Sequence, residues 1–439
     1  MPTDKSQTLA MTLYATVDFL HVVTSFVEKA ALALGMAESD ALALTLATEE
    51  IFVYLCGTSA PDREMKIICT GGGYFVRVDF SLPVDDVNLR AFNLTASVSL
   101  EDDIALDEMG LFIAARKVDH FRVTETNGQG IRLALIKEKT YPDLADADLP
   151  VPAPSGPFSL RRPDSADAKL FVLMARQAGP ASPVPGSFAW PGKVVDQLVA
   201  GDVDMIIALD PSGRIGGGIL WHWPGPGTVA FFGPYLFSPD PDPSLAEDLL
   251  DACISAIAKT HAVALISRHP AEYLPRHRFE KLGSVTAFGG AGGAVSRPTY
   301  FRQMQEDAGC VVKVHPGLMA FLEGEYLRLV LPREVVQIDT AGEGLNPFAV
   351  LSADVDRQAN TVTLRPIRAG TDAADTLAAH VDLFRKESVA GLFFEMDLAL
   401  PWQVGFTPAL LENGFTPRLI LPYAGEGDLV VFQWEAGQP

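Results

Sequence analysis

The hydrophobic pattern of the first 140 residues predicts alternating strands and helices. Leu9–Tyr14 alternates as a strand does, and Val17–Leu34 is apolar at helical spacing until Gly35. A second helix follows, with Ser39 as its predicted cap. The later elements are a hairpin, Met65–Cys69 with Tyr74–Phe80, a helix, Gly110–Asp119, and a hairpin, Phe121–Glu125 with Ile131–Lys137. This order predicts an α/β sandwich with helices on one face of an antiparallel sheet.

The pattern restarts after residues 141–157, a proline-rich stretch without period that predicts a semi-stiff linker. The elements predicted next are a strand ending at Arg161, helices Asp167–Ala178 and Val194–Val199, strands Met205–Asp210, Ile215–His222 and Val229–Phe237, helix Leu245–Thr260 and strand Ala262–Ser267. Strands that alternate with helices in this way predict a mixed sheet.

A weak internal repeat follows the glycine-rich boundary at residues 289–293. The order strand, loop, long helix and strand occurs again, and we equate Glu280–Gly283 with Glu412–Phe415 as helix ends that lead to the last strands. The predicted domains are residues 1–140, the linker 141–157, and two modules, 158–300 and 311–439.

Composition and charge narrow the range of partners. Hydrophobic residues make up 48% of the 439 positions and charged residues 20%, which is typical of a folded protein. The formal net charge of −21 disfavours a nucleic-acid backbone or an anionic membrane as the main partner. An uncharged or basic protein surface fits better. No uninterrupted apolar run reaches about 18 residues and no signal pattern opens the chain, so we expect a cytoplasmic protein.

The cysteines and histidines do not predict a metal site. The four cysteines form no CxxC pair, and the eight histidines lack the spacing of metal ligands. We therefore expect reduced thiols, mostly buried, and no bound metal.

Glu50 is the first candidate site residue. It lies beside the apolar face formed by Leu44, Ala47 and Ile51 at helical spacing. A carboxylate on a core-facing helix needs a donor, a water or a ligand, which makes Glu50 a site candidate. A solvated helix rim is the alternative.

The order of these elements resembles the histidine-kinase-like ATPase fold, most closely the anti-sigma-factor serine kinases of bacteria. Glu50 matches the family's helix Glu, and Asp79, in Asp79-Phe-Ser-Leu-Pro-Val, matches its adenine-binding Asp. Gly110-Leu matches part of the second glycine box. The resemblance covers residues 8–139 and implies a nucleotide site at Glu50, Asp79 and Gly110.

The departures from the family's pattern predict loss of phosphoryl transfer. Tyr54 stands where the family has a magnesium-binding Asn, and a phenol does not mimic an amide carbonyl. Asp107 and Glu108 place two anions beside the expected triphosphate. The acidic connection Val84–Glu108 is long enough to be a lid or a mobile segment. Asp79 either still binds the adenine of ATP or is a satisfied strand-end carboxylate.

The second half resembles the GCN5-related N-acetyltransferases, whose mixed sheet is split by a wedge for the pantetheine of acetyl-CoA. The family's pyrophosphate loop falls at Pro241–Ala246, where only Ala246 fits. The resemblance implies CoA contacts at Ser244 and Ala246. The alternative is an ordinary helix cap, with Ser244 as N-cap and Glu247 at capping-box spacing.

Two further side chains are candidates if acyl transfer survives. His222 and Tyr235 have suitable acid–base chemistry, although a buried core role is the alternative for each. Gly216–Gly218 lies within a strand pattern, which predicts a bulge or a close backbone approach.

Two functions from different classes follow from this reading. The first is a regulatory or sensing protein whose kinase-like domain has lost phosphotransfer and whose acetyltransferase-like half binds a protein or a small ligand. The second is an acyl-CoA-dependent N-acyltransferase whose first domain recognises the substrate. Domains of the first kind commonly pair, so a homodimer is also expected.

Overall fold

A computed structural model describes residues 7–60, 62–82, 89–95, 110–111, 113–126, 130–142, 154–177, 183–238, 240–288, 294–338, 346–356 and 359–435. The chain divides into two compact units. Unit 1 contains residues 1–142, 346–352 and 367–372, and unit 2 contains the rest. The fold class is mixed α+β, with helices on an antiparallel sheet followed by mixed sheets.

Unit 1 is built on a five-stranded antiparallel sheet in the order β1-β2-β3-β5-β4. Its elements are β1 (Thr8–Tyr14), α1 (Leu20–Ala33), α2 (Glu38–Thr58), β2 (Glu64–Gly71), β3 (Phe75–Leu82), β4 (His120–Thr126) and β5 (Gly130–Glu138). Residues 110–111 and 113–117 are also helical.

The alternation of side chains along β3 shows which face of the unit 1 sheet packs against the helices. Val76, Val78 and Phe80 of β3 point into the same hydrophobic cluster as Leu44 and Ile51 of α2. Residues of a strand alternate between the two faces, so every second side chain of β3 faces away from this cluster. Both predicted hairpins are present. β2 and β3 pair from Lys66–Ser81 to Gly71–Val76, and β4 pairs with β5.

The cap of α2 differs from the prediction. Ala37 occupies the N-cap, and Ser39 is already the second residue of the helix. Gly35, in the left-handed region at φ +87°, forms the turn two residues before this N-cap, and no side chain caps the helix start. The described residues do not include Pro83–Val84, Asp107, Glu108, linker residues 143–153 or residues 289–293, so the predictions made for these positions lie outside the described structure.

Two short segments from late in the sequence complete unit 1. The Asn93 amide donates to the Ala349 carbonyl at 2.8 Å, and its oxygen accepts the Leu351 N–H at 2.9 Å. Val350, between those two residues, is fully buried in the hydrophobic cluster that includes Leu89. Sequence analysis placed these segments in the last module.

Unit 2 contains a seven-stranded mixed sheet in the order β11-β12-β10-β9-β8-β7-β6. Its elements are β6 (Ser159–Arg161), α3 (Ser165–Arg176), α4 (Pro191–Ala200), β7 (Val203–Leu209), β8 (Ile215–Gly225), β9 (Thr228–Leu236), α5 (Pro243–Ile257), β10 (Ala264–Ser267), β11 (Glu280–Phe288) and β12 (Ala294–Gln303). Only β9 and β10 are parallel, and their ladder stops at the pair Ala230–Ile266. An isolated bridge joins Gly233 to Pro270 beyond it.

A second mixed sheet follows, in the order β15-β16-β17-β19-β18, with the parallel pair β16–β17. The remaining elements are β13 (Cys310–Val314), α6 (Met319–Leu329), β14 (Arg333–Gln337), β15 (Val350–Asp356), β16 (Thr361–Arg368), α7 (Ala373–Lys386), β17 (Gly391–Asp397), α8 (Pro401–Val404), α9 (Thr407–Glu412), β18 (Phe415–Leu421) and β19 (Leu429–Trp434).

The proposed equivalence within the repeat is wrong at one point. Glu280–Gly283 begins strand β11, whereas Glu412 ends helix α9. The glycines Gly216–Gly218 of β8 do lie where other atoms approach the strand closely. A Cβ on Gly217 would lie 2.4 Å from the Tyr235 carbonyl oxygen, and one on Gly218 would lie 2.6 Å from the Phe171 ring.

A buried arginine ties the later strands of unit 2 together. The Arg333 side chain is fully buried and pairs with Asp428 and Asp307, each at 2.7 Å. Its guanidinium also lies over the rings of Tyr423, at 4.7 Å, and Tyr326, at 5.8 Å. One buried cation thus faces two buried carboxylates, and Asp307 also accepts a hydrogen bond from the Tyr423 hydroxyl.

Among the described residues, α2 is the one helix long and apolar enough to cross a membrane by composition. Its buried residues, which include Leu44 and Phe52, pack in the core of unit 1. A core helix passes the same compositional test, so this observation does not indicate a membrane span.

Candidate functional site

Glu50 and Gly110 come together in unit 1. Glu50 lies in α2, and Gly110 opens the short helical segment that follows the long connection. A Cβ built on Gly110 would lie 2.4 Å from Oε2 of Glu50, so the carboxylate packs directly against the glycine backbone. A side chain at residue 110 would require the end of the Glu50 side chain to move.

The carboxylate of Glu50 is poorly compensated. Burial, and secondly the charge of Glu49, raise the pKa of Glu50 above its usual range. Within the described part of the chain, no hydrogen-bond donor contacts it. Tyr54, one turn later, packs partly buried against the core of unit 1.

Asp79 lies on the other side of the sheet. It occupies the middle of β3, and its buried carboxylate accepts hydrogen bonds from Arg77 at 2.8 Å and Arg132 at 3.1 Å. Val78 and Phe80, its neighbours, face the helices, so Asp79 does not share a face with Glu50. The structure thus unites two of the three nucleotide-site residues and separates the third.

These positions do not fit a magnesium nucleotide. Tyr54, one turn after Glu50, supplies no amide oxygen for a magnesium ion. Asp79, which the resemblance would aim at adenine, has both oxygens engaged by arginines. Among the described residues, no group of three or more His, Cys, Asp or Glu side chains is placed to hold a metal ion.

The second candidate site lies at the N-terminus of α5, and the cap prediction there is wrong. The N-cap is Asp242, whose carboxylate accepts the Ser244 N–H at 2.9 Å. Ser244 is already inside the helix, because Pro243 takes the first helical position, which suits proline. Ala246 is buried in the core.

The same cap does not fit a CoA pyrophosphate. Pro243 has no N–H to donate, and the Ser244 N–H is already used by Asp242. The hydrogen bonds from Ser244 lower the pKa of Asp242, so the carboxylate stays charged where a phosphate would need to lie.

A groove of about 530 Å³ lies beside this cap. Its walls are the first turns of α5 and the loop that follows β10, with Pro243, Glu247, Glu272, Tyr273, Leu274, Pro275, Arg276 and His277 as lining residues. Glu247 pairs with Arg278 at 3.2 Å. The groove therefore has both signs of charge at its rim.

The two acid–base candidates of unit 2 differ in surroundings. Tyr235 is buried, donates its hydroxyl to the Pro183 carbonyl at 2.7 Å, and burial raises its pKa. His222 is partly buried, and desolvation together with the charge of Arg268 lowers its pKa. An acid–base role for either residue stays a prediction.

Sequence analysis missed His269 and Arg297, whose charge helps to lower the pKa of His269. His269 follows β10, and its ring stacks on Phe232 at 5.9 Å between centroids, while Phe232 stacks on His222 at 6.2 Å. Arg297 lies in β12. The signal available was Arg268-His269 directly after a buried four-residue strand, where strand ends bring side chains together.

Comparisons with known proteins gave matches only among solved structures. No family model and no curated protein matches the chain. Similar structures include a GNAT-superfamily phosphinothricin acetyltransferase from Sinorhizobium meliloti in complex with AcCoA, at 19% identity and TM-score 0.28, covering 33% of this chain and 88% of that one. A GNAT-family acetyltransferase from Staphylococcus aureus has 9% identity and TM-score 0.26, covering 34% and 100%.

A structure of a different kind is also similar to part of the chain. The RsbU and RsbW domains of a Mycobacterium tuberculosis protein match with 18% identity and TM-score 0.23, covering 31% of this chain and 33% of that chain. The solved structures similar to parts of this chain thus include acetyltransferases of the GNAT family and a structure of RsbU and RsbW domains.

Proposed function

We propose that the chain is a regulatory or sensing protein that binds a protein or a small ligand and catalyses neither phosphoryl nor acyl transfer. The observation that carries this proposal is the Asp242 cap, which takes the Ser244 N–H of α5 and fixes a carboxylate at the helix N-terminus. Such an end normally favours anionic ligands, so occupying it with a carboxylate removes the site.

Unit 1 supports the same conclusion independently. Glu50 fills the space against Gly110, and Asp79 is neutralised by Arg77 and Arg132 on the opposite sheet face. Tyr54, in place of the family's magnesium-binding Asn, leaves such a scaffold without an amide oxygen to orient a metal-bound phosphate, while its surface can still bind a partner.

The exposed apolar side chains of unit 1 support a protein partner. β1 is an edge strand, and Leu9, Tyr14, Val17 and Val22 are 41–53% exposed on it and on the turn and helix that follow. An edge strand can pair with another chain, and exposed apolar groups add area to such a contact. We propose a protein partner with an uncharged or basic surface, or pairing of two copies, in the cytoplasm and without nucleic acid or membrane.

Calorimetric titration of the full chain tests the lack of transfer chemistry. We expect no binding heat with acetyl-CoA or with ATP–magnesium up to millimolar concentrations. Light scattering of the same sample reports whether the chain pairs. Saturable micromolar binding of either cofactor contradicts the proposal, because intact phosphate contacts are needed for that affinity.

The second candidate function is an acyl-CoA-dependent N-acyltransferase. The groove beside α5 favours it, because Arg276 and His277 offer cationic or polar contacts at its rim. Thiol release from acetyl-CoA in the presence of an amine, abolished by Arg276→Ala, would support this candidate. Absence of thiol release together with absence of acetyl-CoA binding leaves the regulatory function.

A further inference from the structure

Two strands of unit 2 form a small sheet of their own. β13 and β14 are parallel and paired over their whole length, and the described residues add no third strand to them. Two strands alone are marginally stable in water, and parallel strands normally lie inside larger sheets. The outer edge of β13 is partly used, because the Lys313 N–H donates to the Leu398 carbonyl at 2.8 Å. A further strand would therefore add to β14.

The outer edge of β14 is open. The Ile338 N–H donates to the Val314 carbonyl at 3.0 Å, so every second residue of β14, counted back from Ile338, faces β13. Val335 and Gln337 therefore direct their N–H and C=O groups to the other side, where no described residue bonds to them. Such a row of free donors and acceptors can pair with an extended chain.

Exposed apolar side chains lie next to this edge. Leu327 is 82% exposed and Val330 is 84% exposed, and Val330 lies three residues before β14 begins. The two belong to one turn at the end of α6, since the Val330 N–H donates to the Leu327 carbonyl at 3.4 Å. Leu331, the next residue, is buried instead. The turn thus presents two aliphatic side chains to solvent beside the open edge.

Val330 is an unusual residue for the end of a helix. Its φ is +55°, in the left-handed region, where glycine or asparagine normally ends a helix and a β-branched residue is strained. The Val330 side chain gains little burial in return. The folded chain alone therefore gives no reason for a valine at this position, whereas a partner that covers the side chain does.

The charges near the edge favour a basic partner strand. Glu334 of β14 is exposed and makes no ion pair among the described residues. A strand added to β14 would place a side chain opposite Glu334, and opposite charges in such a cross-strand pair are favourable. Lys313 lies on β13, away from the open edge, and Arg328 is already paired with Glu325. A second copy would bring another net charge of −21, which disfavours pairing of two copies through β14.

We propose that β14 is the docking strand for an extended, basic segment of a protein partner. The segment adds to the open edge as a third strand, with a lysine or arginine opposite Glu334 and an aliphatic side chain against Leu327 and Val330. This proposal rests on the proposed function, since it gives the expected protein partner a docking strand in unit 2.

The test is titration of the full chain with fluorescently labelled synthetic peptides, followed by anisotropy. The probe peptide alternates lysine with valine. One control peptide has glutamate in place of lysine, and the other has the same charge as the probe but proline in place of its central valine, which removes a main-chain donor. We expect saturable binding of the probe only, with slower amide hydrogen exchange at Val335 and Gln337 in the complex.

Substitutions at two positions check the location. Gln337→Pro removes an outward N–H and leaves the bonds to β13, so binding should weaken at least about tenfold, whereas Gln337→Ala keeps the N–H and should bind as the unmodified chain does. Val330→Asn suits the left-handed helix end, so it should not lower the melting midpoint, yet it should weaken binding at least about threefold. Val199→Asn is its matched control, since Val199 is 79% exposed on α4.

The proposal is overturned if the lysine–valine peptide shows no saturable binding to the unmodified chain, a result that needs no variant to fold. It is also overturned if Gln337→Pro and Gln337→Ala bind the probe equally tightly, or if the proline peptide binds as well as the probe, because net charge alone would explain either result. A dimer in sedimentation equilibrium that Gln337→Pro separates would identify a second copy as the occupant and would likewise overturn it. Titration with acetyl-CoA and ATP–magnesium separately decides the proposed function.

Discussion

Replacing Arg333 by methionine should destabilise unit 2 more than any surface substitution of the same kind. The Arg333 side chain is fully buried and touches Asp307 and Asp428, which are 3% and 0% exposed. Methionine fills a similar volume but leaves two buried carboxylates without a cation. The perturbation therefore isolates the charge from the packing.

The expected loss of stability follows from two opposing effects, the attraction between the charges and the cost of removing them from water. Each contact between unit charges at about 4 Å contributes roughly 4 kcal/mol at an effective dielectric constant near 20. Desolvation of the three ions cancels much of that gain, and breaking a buried pair on one side costs about 3–5 kcal/mol. For a domain of this size class, such a loss corresponds to a melting midpoint lower by roughly 6–20 °C.

The assay is thermal unfolding of the full chain followed by circular dichroism, with Arg385→Met as the control. Arg385 is exposed, and a surface pair contributes only about 0–1 kcal/mol. Arg333→Met combined with Asp428→Asn should recover part of the loss, because one uncompensated charge is removed. A midpoint for Arg333→Met within about 2 °C of the control would refute the reasoning.

Three further predictions concern other contacts. Asn93→Ala should lower the stability of unit 1 by about 1–3 kcal/mol, because it leaves the Ala349 carbonyl and the Leu351 N–H unpaired. Amide hydrogen exchange at Leu351 should accelerate in this variant, and unchanged exchange would contradict the contact. Burial opposes ionisation of Glu395, but Arg268 and Arg365 prevail and lower its pKa to about 2 from 4.5. The ionised Glu395 therefore contributes about 3 kcal/mol of stability above pH 4.5, and this contribution is lost as the pH falls toward 2. The free energy of unfolding in urea should fall less between pH 6 and pH 3 for Glu395→Gln than for the unmodified chain. Asp242→Ala should lower the melting midpoint more than Ser244→Ala, and the reverse order would restore Ser244 as the cap of α5.

Periodicity located most elements, because burial of one face leaves a direct trace in the sequence. The run around Leu44 and Ile51 predicted α2, and Val76, Val78 and Phe80 predicted β3. The same alternation also predicts that Asp79, between Val78 and Phe80, faces away from the helices. The family resemblance had instead placed Asp79 in a nucleotide site with Glu50.

The errors fall where several local signals compete. Serines at Ser39 and Ser244 are good caps in isolation, but the turn after Gly35 and the proline at Pro243 set the helix starts elsewhere. The surroundings of His269 depend on strands far apart in sequence. No local pattern encodes which side chains meet at the end of a sheet, so these surroundings were visible only after folding.

The late segments of unit 1 have a practical consequence for dissecting the protein. A gene cut at the proline-rich stretch encodes residues 1–142 and omits Val350 and the main-chain partners of Asn93. Such a fragment would lack part of its own interior, so its failure in a complementation experiment would report incomplete folding and not a missing activity. Deletions that respect both stretches, 346–352 and 367–372, are needed to assign tasks to the halves.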